Sequence, residues 1–149
     1  METLRVGIVG AGGIARHHHV PSYKRCRKVA VVAACDVSET ALAEMKGLHG
    51  ITRLYRDYRE MLAEEQLDLI SVCTSNDMHH PVTMAAIAGG LDVFCEKPLA
   101  LNLAQAREMA AAAQAHGTRT GVNFAHRRTP ASRLAKEIIA SGVLGPIHQ

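Results

Sequence analysis

The 149-residue chain predicts an α/β fold with a doubly wound, mostly parallel sheet, and three observations carry that expectation. Short apolar runs that read as buried strands alternate with helical segments bounded by cap residues. The first run leads into a glycine cluster, Gly10-Ala11-Gly12-Gly13-Ile14-Ala15, and the second ends in Asp36. Aromatic residues make up only 3% of the chain and Trp is absent, so Val, Ile, Leu and Ala must build the core. Such a core suits helices laid closely on a parallel sheet.

Leu4 to Val9 reads as the first buried strand. A helix opens from about Gly13 and is interrupted or kinked near Pro21, whose ring removes a backbone donor. Val29 to Cys35 is a second buried strand, Ser38 caps a helix to about Leu48, and Ile51 to Leu54 is a short strand. Asp57 and Glu60 have the spacing of a capping box for a helix to about Glu65. Leu67 to Thr74 is a strand, followed by a helix over His80 to Ala88 that Gly89 and Gly90 close. Asp92 to Cys95 is the next strand, and Asn102 caps an Ala-rich helix to His116, ended by Gly117. Thr118 to Ala125 resumes strand character, and Thr129 with Pro130 starts a last helix to about Ser141. Gly142 to Gln149 reads as a helix exit leading into a new strand, the expected opening of a further domain.

Composition narrows the function classes. Lys and Arg number 17 against 14 Asp and Glu, a mild surplus that fits an anionic ligand but does not indicate nucleic acid. The basic run Lys24-Arg25-Cys26-Arg27-Lys28 lacks the interleaved aromatics of a single-strand binder and reads as a solvated connection. Cys26, Cys35, Cys73 and Cys95 show neither a CxxC pair nor metal-ligand spacing, and read as reduced thiols of a cytoplasmic protein. No apolar run approaches the roughly 20 residues of a membrane span, so no membrane partner is expected. His17-His18-His19 lie on consecutive helical residues that point in different directions, so no metal site is expected there, and His17, near the turn in sequence, is a candidate phosphate contact. Met45, Met61, Met84 and Met109 fall at helical positions that suit core packing.

The glycine cluster has the G-x-G-x-x-A form of a dinucleotide-binding turn. Gly10 permits the tight strand-to-helix turn, Gly12 lets a pyrophosphate approach the backbone, and Ala15 keeps helix and strand close. Gly13 and Ile14 open the helix whose unpaired N–H groups and dipole favour phosphate. Asp36 lies 26 positions after Gly10, beyond the usual spacing of about 20, and is placed to bind ribose hydroxyls and repel a 2′-phosphate. NAD is therefore the expected cofactor. NADP stays open, because Arg53, Arg56 and Arg59 are too far along the chain to be judged as 2′-phosphate readers.

Three further segments follow successive strands: Thr74-Ser75-Asn76-Asp77-Met78-His79, Cys95-Glu96-Lys97-Pro98 and Asn123-Phe124-Ala125-His126-Arg127. With the glycine turn, and over the whole chain, they resemble the Gfo/Idh/MocA oxidoreductases, the glucose–fructose oxidoreductase and inositol dehydrogenase group. The resemblance implies a Rossmann domain over 1–121. Residues 122–149 would then hold the sixth strand, a connecting helix and the start of a truncated second domain. It implies hydride transfer with a sugar, inositol or related polyol, and homo-oligomers of the full-length protein. Lys97 would stand near the nicotinamide and the reacting hydroxyl as the acid–base residue, and Glu96 would orient that lysine or the cofactor. Pro98 would set the turn that aims it. Thr74, Ser75 and Asn76 would line the cofactor cleft, His79 would either cap the following helix or touch the cofactor, and Arg127 would face the cleft. Residue 75 is Ser where the family usually has Pro, and the family's second-domain Asp and His have no counterpart here. Two other activities stay compatible: a glycoside hydrolase that uses bound NAD transiently, and a non-catalytic dinucleotide sensor.

Overall fold

The computed structural model describes residues 3–147. Its six strands are β1 (Leu4–Val9), β2 (Val29–Cys35), β3 (Arg53–Tyr55), β4 (Leu69–Val72), β5 (Asp92–Glu96) and β6 (Thr120–Asn123). They form one sheet in the order β3-β2-β1-β4-β5-β6, every neighbouring pair parallel. The order reverses between β1 and β4, and ligands of such sheets bind in the crevice that this reversal opens beyond the strand ends. The expected division at 121/122 would fall inside β6, which pairs with β5 from Thr120 to Asn123 and so belongs to the sheet.

Helices cover both faces, as the alternation of strand and helix requires. Val6, Ile8 and Ala34 point to one face, where they pack with Ala15, Val20, Leu42, Met45 and Ile51 from α1 (Val20–Arg25), α2 (Glu39–His49) and their approaches. Val9, Ala33, Ile70, Val72 and Val93 point to the other. There α3 (Tyr58–Glu64), α4 (Asn76–Ala88) and α5 (Leu103–His116) supply Met61, Val82, Ala86, Ile87 and Ala113. The last helix, α6 (Pro130–Ala140), buries no residue. Cap residues act where the sequence places them: Ser38 accepts from Ala41 N–H, Asp57 from Arg59, Asn102 from Gln105 and Thr129 from Ser132.

Three local expectations are corrected. The helix that opens at Gly13 widens into a π turn over Ala15–His19, with Val20 N–H bonding to Ala15 O, immediately before Pro21. A wider turn accommodates a ring that would clash with a regular α-helical one. α4 begins at Asn76, not His80, and carries Pro81 in its interior. Its extra first turn is held by Asp77, whose carboxyl is kept below its usual range by the Ser75 hydroxyl and by backbone N–H groups. Finally, residues 142–147 turn without forming a strand, with Gly142 and Gly145 at positive φ, and His148 and Gln149 lie outside the described residues.

Gly10 is the most crowded glycine of the fold. Its φ is +92°, and a Cβ there would lie 2.5 Å from the Cys73 carbonyl carbon and oxygen and 2.6 Å from Thr74 N. Gly10→Ala should therefore lower stability by on the order of 3 kcal/mol or prevent folding, whereas an unchanged urea midpoint would contradict the crowding.

Candidate active site

The C-terminal ends of β1, β2 and β4 open onto a cleft of about 490 Å³ lined by Gly10, Gly12, Asp36, Thr74 and Ser75 among others. Gly10 N–H bonds to Cys35 O at 2.8 Å and Cys73 N–H to Val9 O at 2.7 Å, which pins the glycine turn between its two neighbouring strands. Asp36 is loaded from both sides. One carboxylate oxygen accepts from Ala11 N–H at 2.6 Å and the other from Ser38 N–H at 2.8 Å. The acid at the end of β2 is thereby fixed against the start of the glycine turn.

The cleft fits a dinucleotide by what it leaves empty. A Cβ at Gly12 would meet nothing within 4 Å, so the protein itself has no packing need for glycine at this lining position. Glycine there leaves the backbone open to the cleft, a surface that a pyrophosphate can approach. Gly13 and Ile14 form the first residues of the helix and are exposed beside it. Ser75, the N-cap of α4, has φ −62°, a value that a prolyl ring would also impose, so the serine preserves the backbone of the family's usual residue.

Arg56 and Arg59, too distant along the chain to judge from sequence, line the same cleft because β3 pairs with β2 and returns the chain to Asp36. Arg56 is already engaged by Glu39 at 2.7 Å and by the Val37 carbonyl at 3.1 Å. Arg59 pairs with Asp57 at 3.5 Å and lies over the Tyr58 ring. Arg53 points elsewhere, into a cluster with Tyr55 and Glu65.

Beside the cleft, the turn after β5 carries Glu96, Lys97 and Pro98, joined by a cis Lys97–Pro98 peptide. Lys97 is exposed, while Glu96 is buried at 7% exposure. Glu96 Oε1 accepts from His19 Nε2 at 2.7 Å and from Asn123 Nδ2 at 2.6 Å, and its Oε2 accepts from Lys97 N–H at 3.2 Å. Burial pushes this carboxyl up, but the bonds from His19, Asn123 and Lys97 N–H outweigh it and hold it below the usual carboxylate range. Glu96 therefore does not orient Lys97 through its ammonium; it fixes the lysine's backbone.

His79 is neither a helix cap nor a lining residue of the cleft. It lies inside α4, 1% exposed, with Nδ1 2.6 Å from Pro98 O and Nε2 3.2 Å from Thr74 O. Asn76 is the first residue of α4 and is exposed. Arg127 sits in a 3₁₀ turn, Ala125–Arg128, and lines a separate hollow with Phe94, Val122, Asn123, Phe124 and Arg128. The structure thus gathers Gly10, Gly12, Asp36, Thr74 and Ser75 around one cleft, sets Glu96, Lys97 and His79 beside it, and leaves Arg127 apart.

Sequence reasoning missed His19 and Asn123. His19 was discounted within a run of three histidines, yet it alone of them is buried. Its place just before Val20-Pro21, where the π turn ends, is the only signal that separates it from its neighbours. The buried thiols are free, and burial pushes Cys35 and Cys73 up to about 12 and Cys95 to about 11, which makes them packing groups.

Residues 4–124 match the oxidoreductase family described by its NAD-binding Rossmann fold, so the chain belongs to the Gfo/Idh/MocA family and carries its NAD-binding domain. It is 34% identical over 145 residues to D-glucoside 3-dehydrogenase of Escherichia coli, covering 97% of this chain and 41% of that protein. It is 30% identical to myo-inositol 2-dehydrogenase of Thermotoga maritima, covering 97% of this chain and 43% of the relative. The crystal structure of myo-inositol 2-dehydrogenase from Lactobacillus plantarum superposes with a TM-score of 0.88 at 32% identity, over 98% of this chain and 43% of that one. The chain spans about two fifths of the length of these relatives.

The depressed Glu96 carboxyl has a consequence for stability. A carboxyl that titrates lower when folded contributes fully above its ordinary value, about pH 4, and that contribution is lost as pH falls through the depressed one. Urea midpoints of the Glu96→Gln variant should fall less steeply on acidification than those of the parent chain. Identical acid limbs would contradict the assignment.

Proposed function

We propose that this domain serves an NAD-dependent oxidoreductase acting by hydride transfer on a sugar, inositol or related polyol. The observation that carries the reading is the placement of the buried His79 ring, whose Nδ1 donates to Pro98 O next to Lys97 while its Nε2 lies 3.2 Å from Thr74 O on the cleft wall. This contact supports a lysine working at the edge of the dinucleotide cleft. The family's domain and the polyol and sugar substrates named for its relatives support the same assignment. A nicotinamide bound there would supply the hydride acceptor or donor.

The residues of the chain divide the remaining work. Gly12, Gly13 and Ile14 present backbone to the pyrophosphate, and Asp36 takes the ribose hydroxyls. Asn76, which follows Ser75 in the chain, is assigned to the cofactor side, and Arg127 to the substrate side of the turn, beyond Asn123. The Lys97 ammonium hydrogen-bonds the reacting oxygen and moves its proton. Most of the substrate pocket is assigned to a second domain following the sheet. The full-length protein is read as a cytoplasmic homo-oligomer, a placement that the unpaired thiols support. Among the described residues no helix is long and apolar enough to cross a membrane.

NAD is favoured over NADP because the Asp36 carboxylate would face a 2′-phosphate and the nearest guanidinium, Arg56, is already held by Glu39 and Val37. Fluorescence titration of the chain should show saturable NADH binding, with NADPH weaker by a factor of about 10 or more, or about 1.4 kcal/mol. Asp36→Ala should weaken NADH and narrow that ratio. Binding of neither dinucleotide would overturn the reading, and equal affinities would overturn the preference. In an enzyme carrying this domain, Lys97→Met should lower turnover by about 100-fold or more while leaving NADH affinity within about 2-fold. Unchanged turnover would remove Lys97 from the chemistry.

A further inference from the structure

We propose that His19 and His79 are positioning residues that clamp Lys97 from the two residues flanking it. The proposal rests on the reading of Lys97 as the acid–base group, and it extends that reading to two histidines that touch neither cofactor cleft nor solvent. His19 ends the π turn before α1 and packs on one face of the sheet; His79 lies in α4 on the other. Their exposures are 5% and 1%. One grips the side chain of residue 96 and the other the carbonyl of residue 98.

The hydrogen-bond chemistry assigns each grip. Glu96 is ionised and only accepts, so the nitrogen facing it, His19 Nε2, carries a proton. The other nitrogen, Nδ1, meets Ser71 Oγ of β4 at 2.9 Å, which fixes the ring plane. Ser71, His19 and Glu96 together have the composition of a nucleophilic triad. Ser71 is wholly buried, however, and its hydroxyl lies 3.7 Å from the Cys73 sulfur, so this chain orients groups instead of attacking a substrate. Asn123 of β6 adds the second side-chain donor to Glu96 Oε1. The carboxylate is thus tied to the π turn and to β6, and through His19 to β4, while its other oxygen holds Lys97 N–H.

On the opposite face, His79 Nδ1 must donate to Pro98 O at 2.6 Å, since a carbonyl only accepts. Its Nε2 approaches Thr74 O at 3.2 Å, so the same ring that holds the turn also registers it against the cleft wall. Apolar side chains of similar volume would fill both positions without any desolvation penalty. Two imidazoles directed at the flanks of one exposed lysine make sense as a support that holds a reacting group within about 0.5 Å of its working position.

The two grips use different ring nitrogens, and that gives a crossed test. Gln reproduces a donor at the Nε2 position and Asn one at the Nδ1 position. His19→Gln and His79→Asn should therefore keep the turn as it is, whereas His19→Asn and His79→Gln should release it. Hydrogen exchange of the Lys97 and Leu99 amides, followed by NMR on the ligand-free chain, reads the turn directly. The releasing pair should speed that exchange by about 10-fold with β1 and β2 amides unchanged, and the retaining pair should stay within about 3-fold of the parent. In an enzyme carrying the domain, the releasing pair should lower kcat with the KM for cofactor unchanged. A purely structural role predicts the same effect of Gln and Asn at each site, and loss of this crossing would overturn the proposal. NADH affinity is measured alongside. Failure of NADH to bind the parent chain would sink the proposed function but not the crossing, so the two failures are distinguishable.

Discussion

The site depends on the passage of β1 past β4 at Gly10, where no side chain fits against the Cys73–Thr74 backbone. That contact sets the mouth of the cleft, because it brings the end of the first strand and the start of the α4 loop to one point. It also determines where the following helix can run. Once the chain turns at Gly10 and enters the helix at Gly13, the π turn over Ala15–His19 carries His19 down into the sheet beside β4 and β5. The glycine therefore shapes the nucleotide side of the site directly and the lysine side through the helix that it launches.

The lysine side is held by buried polar groups in an otherwise apolar interior. Such groups are weak grounds for stability, since well-packed hydrophobic replacements of a buried ion pair are often as stable or more so. What the Glu96 arrangement gains is position. A carboxylate satisfied by an imidazole, an amide and a backbone N–H has few alternative geometries, and it is kept ionised despite burial. The residue that follows it inherits that rigidity at its backbone while its ammonium stays exposed.

Most of the scaffold was legible because local signals and the global fold agree. Leu4–Val9, Val29–Cys35 and the caps at Ser38, Asp57, Asn102 and Thr129 lie where pattern and cap chemistry put them. The start of α4 was not, since Pro81 signals a boundary and the turn before it is stabilised by Asp77 and His79, whose partners are remote or conformational. That Gly10, Gly12 and Asp36 line one cleft was legible because a β-α-β unit brings them together at fixed spacing. Arg56 and Arg59 were not, because only the β2–β3 pairing returns them to Asp36. His19 and Asn123 were least legible of all. Each acts through a partner on another element, 77 and 27 residues from Glu96, and no local pattern encodes such a meeting.

This difference separates the two halves of the site in kind. The nucleotide half is a backbone device: a turn, a helix end and one acid fixed by two N–H groups, all within a single β-α-β unit. Any sequence that forms the unit forms most of the half. The lysine half is a side-chain device assembled from the π turn, β4, α4, β5 and β6, so it depends on the pairing of β4, β5 and β6. His79 is the joint between them, its ring set between Thr74 O and Pro98 O and donating to the latter. On the proposed assignment of these residues, a change in substrate can be met by altering what surrounds Lys97 without disturbing the glycine turn. That separation is consistent with one cofactor domain serving relatives named for glucosides and for inositol alike.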